Sequence, residues 1–157
     1  MGWPHIHLLI NHVPVLGVMF GLILAIVAFW LNHGEFKKMA LWVSLIAGAA
    51  AGLVYFTGEQ AEEALLRAPG ISQPLVLAHD DAAFYAVVAA VALAVLSLAA
   101  LLLMRRKMPW PRWLAPAWFL VAVLTAGLIS WTANLGGRIR HPEIASTRAE
   151  QPGVPER

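Results

Sequence analysis

The sequence predicts an all-α membrane protein, a bundle of four transmembrane helices. Of its 157 residues, 60% are hydrophobic and 13% are charged, and the mean hydropathy is +0.70. A soluble domain is nearer half apolar and a quarter charged. Four apolar runs each reach the roughly 20 residues that a spanning helix needs. We therefore expect a polytopic protein whose surroundings are a lipid bilayer.

The four apolar runs are the predicted spans, and they cover residues 8–32, 39–57, 82–104 and 113–133. Polar segments separate them at residues 32–38, 58–78 and 105–112. We expect one domain over residues 1–141, because the length suits a single domain. Residues 142–157 are polar and contain Pro152 and Pro155, so they predict a loosely ordered tail.

Basic residues predict how the chain is oriented. The two short connections carry most of them, namely Lys37, Lys38, Arg105, Arg106, Lys107 and Arg112. The longer connection between the second and third spans carries Arg67 alone. The positive-inside rule then places the short connections in the cytoplasm and both termini outside. We expect the inner membrane of a bacterium, with the longer connection on its outer face.

The second and fourth spans end alike, which indicates an internal repeat of two helices. Residues 51–59 (AGLVYFTGE) align with residues 126–134 (AGLISWTAN), with four identical positions. His12 and His79 take similar places ahead of the first and third spans. Repeats of two spans have the same orientation, so they are related by a pseudo-two-fold axis along the membrane normal. His12 and His79 would then face each other across the bundle.

Five of the six histidines lie at the outer end of the predicted bundle, namely His5, His7, His12, His79 and His141. Ionisable groups beside a membrane core are costly, so their presence indicates a function. Histidine binds transition metals and haem iron. The chain has no cysteine, which excludes thiolate metal sites and covalent c-type haem attachment. We expect His5 and His33 to be solvated.

The sequence predicts that His12 and His79 bind haem b from opposite sides. His7 and His141 are the candidates for a second set of ligands, and Arg138 and Arg140 for pairing with haem propionates. The same four histidines are also candidate ligands of a non-haem metal (copper, iron or zinc), with acidic side chains beside them. The acidic candidates are Glu59, Glu63 and Asp81. Together with Glu62 and Asp80, they could instead cap or solvate helix ends.

Two glycine pairs leave two interpretations open. Gly17 and Gly21 form one G-x-x-x-G pattern, and Gly48 and Gly52 form another. Small residues at this spacing let membrane helices pack closely. A stripe of small residues would also leave room for a flat macrocycle beside the histidines.

Three segments resemble a bacterial family of four-span membrane proteins catalogued as a domain of unknown function. They are HLLINHVP at residues 7–14, His79 near the third span, and GGRIRH at residues 136–141. The likeness covers about residues 5–141. The layout is also similar to that of haem-binding membrane subunits of cytochrome b type. That likeness implies one or two haems, and such subunits often bind one near each membrane face. This chain lacks a second histidine near its cytoplasmic face, so we expect any two haems to lie towards the outer face.

These observations lead to three hypotheses about function. The first is a b-type cytochrome that transfers electrons within a respiratory or photosynthetic complex, with a quinone or other membrane subunits as partners. The second is a membrane protein with a non-haem metal, and the third is a structural subunit without a cofactor. Under the first, the chain is an electron-transfer subunit rather than a stand-alone enzyme, in a homo- or hetero-oligomer. Nothing in the charge pattern resembles a nucleic-acid-binding surface.

Overall fold

The computed structural model describes residues 2–67 and 71–141, apart from the side chain of Arg140. It consists of five helical segments: α1 (Trp3–Ile10), α2 (His12–Trp30), α3 (Gly34–Leu66), α4 (Gln73–Arg105) and α5 (Leu114–Arg140). α1 and α2 together form one span, so four spans are long and apolar enough to cross a membrane. The predicted all-α four-helix bundle is confirmed. The predicted tail, residues 142–157, lies outside the described residues.

The first span is interrupted at Asn11, between α1 and α2. Pro14 explains the break, because proline has no N–H to donate to the carbonyl of Ile10, four residues earlier, and its ring crowds that carbonyl. The last turn of α1 is closed by the Asn11 N–H, which donates to the carbonyl of His7 at 3.0 Å. His7 and His12 therefore lie on two different helices.

The helices extend beyond the apolar runs at the end of the bundle that carries the histidines. α3 continues to Leu66 through a segment rich in Glu, Gln and Ala, which favour helix. α4 begins at Gln73 with Pro74 in its first turn, a position that suits proline. His79 consequently lies in the second turn of α4 rather than ahead of the helix.

Helices that follow one another in the chain pack together, in an up-and-down bundle. α3 packs against α2 on one side and against α4 on the other, and α4 also packs against α5. A smaller interface between α2 and α5 closes the bundle. α1 packs mainly on α3. The two repeat units therefore have corresponding ends at the same end of the bundle. There, α1 packs against α3 in the first unit, and the start of α4 packs against the end of α5 in the second.

Small residues fill the interior, and large apolar residues cover the surface. Ala82 and Ala90 are completely buried. Trp30 is 81% exposed and Leu9 is 73% exposed, which water would disfavour but lipid chains accommodate. Membrane helices associate by close packing of small residues, since lipid removes the drive to bury large ones. The surface pattern therefore agrees with a bilayer around the bundle.

Glycines bring the helices close together. A Cβ added to Gly17 would lie 2.7 Å from the Cβ of Ala47 on α3, and one added to Gly48 would lie 2.7 Å from the Cβ of Ala94 on α4. Gly52 has nothing within 4 Å of its Cβ position. Close helix packing is thus the role of Gly17 and Gly48, whereas Gly52 borders open space.

Candidate functional site

His7 lies between α1 and α3, where it is partly buried. Its Nδ1 is 3.2 Å from the carbonyl oxygen of Val54 and 3.3 Å from Oγ1 of Thr57. The Thr57 hydroxyl itself donates to the Val54 carbonyl at 2.8 Å, so its oxygen has a lone pair for the imidazole. The Nδ1–H of His7 is therefore shared between two acceptors on α3.

A glycine lies against the ring of His7. A Cβ added to Gly58 would be 3.2 Å from Cε1 and 3.4 Å from Nδ1 of that ring. The distance to Cε1 is tighter than ordinary van der Waals contact, which begins at 3.4 Å. The imidazole consequently occupies space that a side chain at residue 58 would need.

His79 is placed in the same way between α4 and α5. It is partly buried, and its Nδ1 is 3.0 Å from the carbonyl oxygen of Thr132. A Cβ added to Gly136 would lie 3.1 Å from Cε1 of His79 and 3.4 Å from its Nδ1. One imidazole is again held by a backbone carbonyl of the neighbouring helix and lies against a glycine.

The two arrangements occupy related places in the two repeat units. Thr57 and Thr132 are an identical pair in the repeat, and each lies beside a histidine from the other helix of its unit. The contacted glycine follows the threonine by one residue in the first unit and by four in the second, a shift of about one helical turn. Each repeat unit therefore has a threonine beside a histidine, although the accepting carbonyls, those of Val54 and Thr132, are not aligned positions of the repeat.

The hydrogen bonds fix which nitrogen carries the proton in each ring. A carbonyl oxygen can only accept, so Nδ1 of His7 and of His79 must be the donor. In the neutral imidazole, Nε2 then holds a lone pair. Histidines that bind metals usually have this form, with the other ring nitrogen donating to a carbonyl that sets the tautomer and orients the ring. In the neutral form of both residues, Nε2 is therefore the ring nitrogen with the free lone pair.

His7 lies in the α1–α3 interface and His79 in the α4–α5 interface. Both rings are at the same end of the bundle, in different repeat units. The structure therefore brings these two histidines into one region from two helix pairs.

The other predicted ligands have different surroundings. His12 is exposed, and its Nδ1 lies 3.0 Å from the carbonyl of Leu8, across the break at Asn11. His5 is exposed on α1. His141 is exposed just after α5, and its backbone N–H donates to the carbonyl of Gly137 at 3.0 Å. The facing arrangement of His12 and His79 stays a prediction.

Two arginines were predicted to pair with haem propionates. Arg138 is partly buried on α5, two residues beyond Gly136, and so lies at the histidine end of the bundle. Arg140 is the last residue of α5, and its side chain lies outside the described part of the chain.

The acidic residues follow the prolonged α3 and the start of α4. Glu59, Glu62 and Glu63 are on α3, and Glu63 forms an exposed ion pair with Arg67 one turn later. Asp80 is partly buried and Asp81 is exposed, next to His79. Within residues 2–67 and 71–141, no three histidine or acidic side chains form a group suited to holding a metal ion.

Sequence reasoning did not identify Val54, Gly58 and Gly136 as part of the site. Two features of the sequence pointed towards them. One is the threonine shared by the two repeat units, and the other is the presence of glycines in the helices outside the two G-x-x-x-G pairs. Comparison with family models, curated proteins and solved structures finds no match to this chain.

Proposed function

We propose that this chain is a membrane cytochrome of b type, in which His7 and His79 bind one haem iron through Nε2. The observation that carries the proposal is the pair of imidazoles whose Nδ1 atoms are held by the carbonyls of Val54 and Thr132, at 3.2 and 3.0 Å. They come from the two halves of the repeat and lie at the same end of the bundle, where they would hold a haem between them.

The donor set suits haem better than a bare metal ion. The porphyrin supplies four nitrogen ligands, so the protein needs to supply only one or two. Two tautomer-fixed imidazoles meet that requirement, whereas a four-coordinate metal site needs three or four protein ligands. A bound haem would supply one-electron redox chemistry at this end of the bundle.

The residues of the chain would have separate tasks. The carbonyls of Val54 and Thr132 hold the two rings in orientation, and the glycines beneath the rings leave room for them. Arg138 has the charge to pair with a propionate. Arg140 shares this task by its place in the sequence. Burial among apolar helices and the identity of the axial ligands would tune the reduction potential.

Because His7 is assigned to the first haem, His12 would take its place beside His141 in holding a second haem. His12 also has its Nδ1 near a backbone carbonyl, that of Leu8 at 3.0 Å, so its Nε2 is the free nitrogen as well. Its exposed position suits a haem at the surface of the bundle or between two subunits. Electrons would pass between this region and a quinol or a neighbouring membrane subunit.

Absorption spectra of the detergent-solubilised protein, oxidised and reduced, test the proposal. We expect a Soret band and sharp reduced α and β bands with two axial histidines. His79→Ala and His7→Ala should each convert the bands of the haem at these two residues to a high-spin form or abolish them. His33→Ala is the matched control, because His33 is exposed at the other end of the bundle.

Each other outcome has a distinct meaning. An unchanged spectrum in both His7→Ala and His79→Ala would refute the assignment of the ligands. If His12→Ala and His79→Ala each lost the haem bands while His7→Ala kept them, the pairing of His12 with His79 predicted from the sequence would be supported. A protein without haem absorbance but with stoichiometric copper, iron or zinc would favour the non-haem metal site. Co-purification with membrane subunits and no cofactor would favour a structural role.

The proposed location is the inner membrane of a bacterium, with the histidine end outside. The absence of cysteine makes this easy to test, since one introduced cysteine is the only thiol to label. In whole cells, a membrane-impermeant maleimide should label Gly2→Cys and leave Lys38→Cys unlabelled until the cells are opened. The reverse pattern would contradict the orientation.

A further inference from the structure

A cavity of about 400 Å³ lies at the end of the bundle opposite the histidines. Residues of α2, α3, α4 and α5 all line it, together with Trp110 from the connection before α5. Its volume falls in the range of about 300–1,000 Å³ that is typical of ligand pockets. It is separate from the proposed haem region and has its own chemistry.

The walls of the cavity are apolar and firmly held. Leu114 is 1% exposed and Trp118 is 5% exposed, so both belong to the packed core. The indole N–H of Trp118 donates to Oγ of Ser97 at 2.8 Å, which fixes the orientation of the ring. Phe29, by contrast, is 71% exposed at the rim, where the cavity meets the surroundings. Such a space suits a hydrocarbon chain that enters from the bilayer.

Lys37 is the charged residue among those that line the cavity. Its ammonium group donates one hydrogen bond, to Oδ1 of Asn32 at 3.0 Å. An ammonium has three donors, so this bond leaves donors for an anion. A positive group thus stands at the polar end of an apolar space.

The same end of the bundle is strongly basic. The connections on either side of the cavity carry five further cations, namely Lys38, Arg105, Arg106, Lys107 and Arg112. Within residues 31–38 and 105–113, Glu35 is the acidic residue that opposes them. Charge complementarity therefore favours an anionic occupant.

We propose that this cavity binds one anionic phospholipid, with an acyl chain between the helices and the phosphate at Lys37. The apolar walls account for the chain, and the single cation at the rim accounts for the headgroup. Basic pockets between membrane helices recognise anionic lipid headgroups in this way. The proposal does not depend on haem binding.

Native mass spectrometry of the full-length protein tests it, by titration with phosphatidylglycerol and with phosphatidylcholine of identical chains. We expect one phosphatidylglycerol to bind more tightly than phosphatidylcholine. Lys37→Ala should weaken the binding of phosphatidylglycerol by about five-fold, since a basic residue near a lipid surface contributes about 1 kcal/mol to binding. Arg67→Ala is the control, because Arg67 is exposed at the other end of the bundle.

A second pair of variants tests the place of the acyl chain. Ala115→Trp fills the cavity from an exposed position on its wall and should abolish the single tight site. Ala92→Trp adds the same side chain at an exposed position of α4 away from the cavity and should leave binding intact. Equal binding of both lipids, or equal effects of the members of either pair, would overturn the proposal. If glycerol phosphate, which has no acyl chain, bound as tightly as the lipid, the proposed role of the acyl chain would be overturned.

Discussion

Replacing Gly136 by alanine would place a methyl group against the ring of His79. The new Cβ would lie 3.1 Å from Cε1, whereas ordinary contact begins at 3.4 Å, so the ring must move by a few tenths of an ångström. That movement stretches the bond from Nδ1 to the Thr132 carbonyl, now 3.0 Å. Gly137 is the matched control, because nothing lies within 4 Å of its Cβ position.

Two effects of opposite sign decide the result. Alanine in place of glycine in a helix stabilises by about 0.8–1.0 kcal/mol, and this gain applies to both positions. Overpacking costs about 1–3 kcal/mol, and it applies to Gly136 alone. The Gly136→Ala protein should therefore unfold with a free energy about 1–3 kcal/mol lower than that of Gly137→Ala.

Unfolding of both variants in mixed micelles, followed by circular dichroism during titration with a denaturing detergent, measures this difference. If the two variants were equally stable, the contact between Gly136 and His79 would be wrong. Where haem is bound, Gly136→Ala should also weaken it by about 10–100-fold, the usual effect of disturbing a group that orients a ligand. Unchanged haem affinity would show that the position of His79 does not matter for binding.

Three further changes have expected outcomes by the same unfolding measurement. Gly58→Ala should be about 1–3 kcal/mol less stable than Gly52→Ala, because its Cβ would crowd the ring of His7. Gly48→Leu should be less stable than Gly52→Leu by at least about 1–3 kcal/mol, because a side chain at residue 48 would push α3 away from α4. Equal stability of these two variants would contradict the close contact between α3 and α4. Trp118→Phe should destabilise through loss of buried ring atoms and of its hydrogen bond to Ser97, which contributes about 1 kcal/mol. In a Ser97→Ala background the same change should cost about 1 kcal/mol less, and an equal cost would contradict the hydrogen bond.

Span number and helix content were predictable because they depend on local composition. Apolar runs of about 20 residues suffice to identify spans. The ends of the helices were less predictable, since Glu and Gln continue a helix beyond the apolar run without changing its hydropathy. α3 therefore runs to Leu66 rather than to residue 57.

The placement of the histidines was predictable only in part. Topology correctly gathered His7 and His79 at one end of the bundle, and the repeat indicated a pair from its two halves. The apolar pattern favoured His12 as the partner of His79, because it adjoins the long run. Which face of a helix meets its neighbour depends on tertiary packing and on the break at Asn11, and neither can be read from hydropathy.

Each histidine rests on the other helix of its own repeat unit: His7 on α3, and His79 on α5. One helical hairpin thus already contains an imidazole, the carbonyl that orients it and the glycine beneath it. Two identical hairpins related by a two-fold axis would present two equivalent imidazoles, as a homodimer of half-length chains. In one chain the two hairpins need not be identical, and the glycines beside the rings differ in position, one residue after Thr57 and four after Thr132.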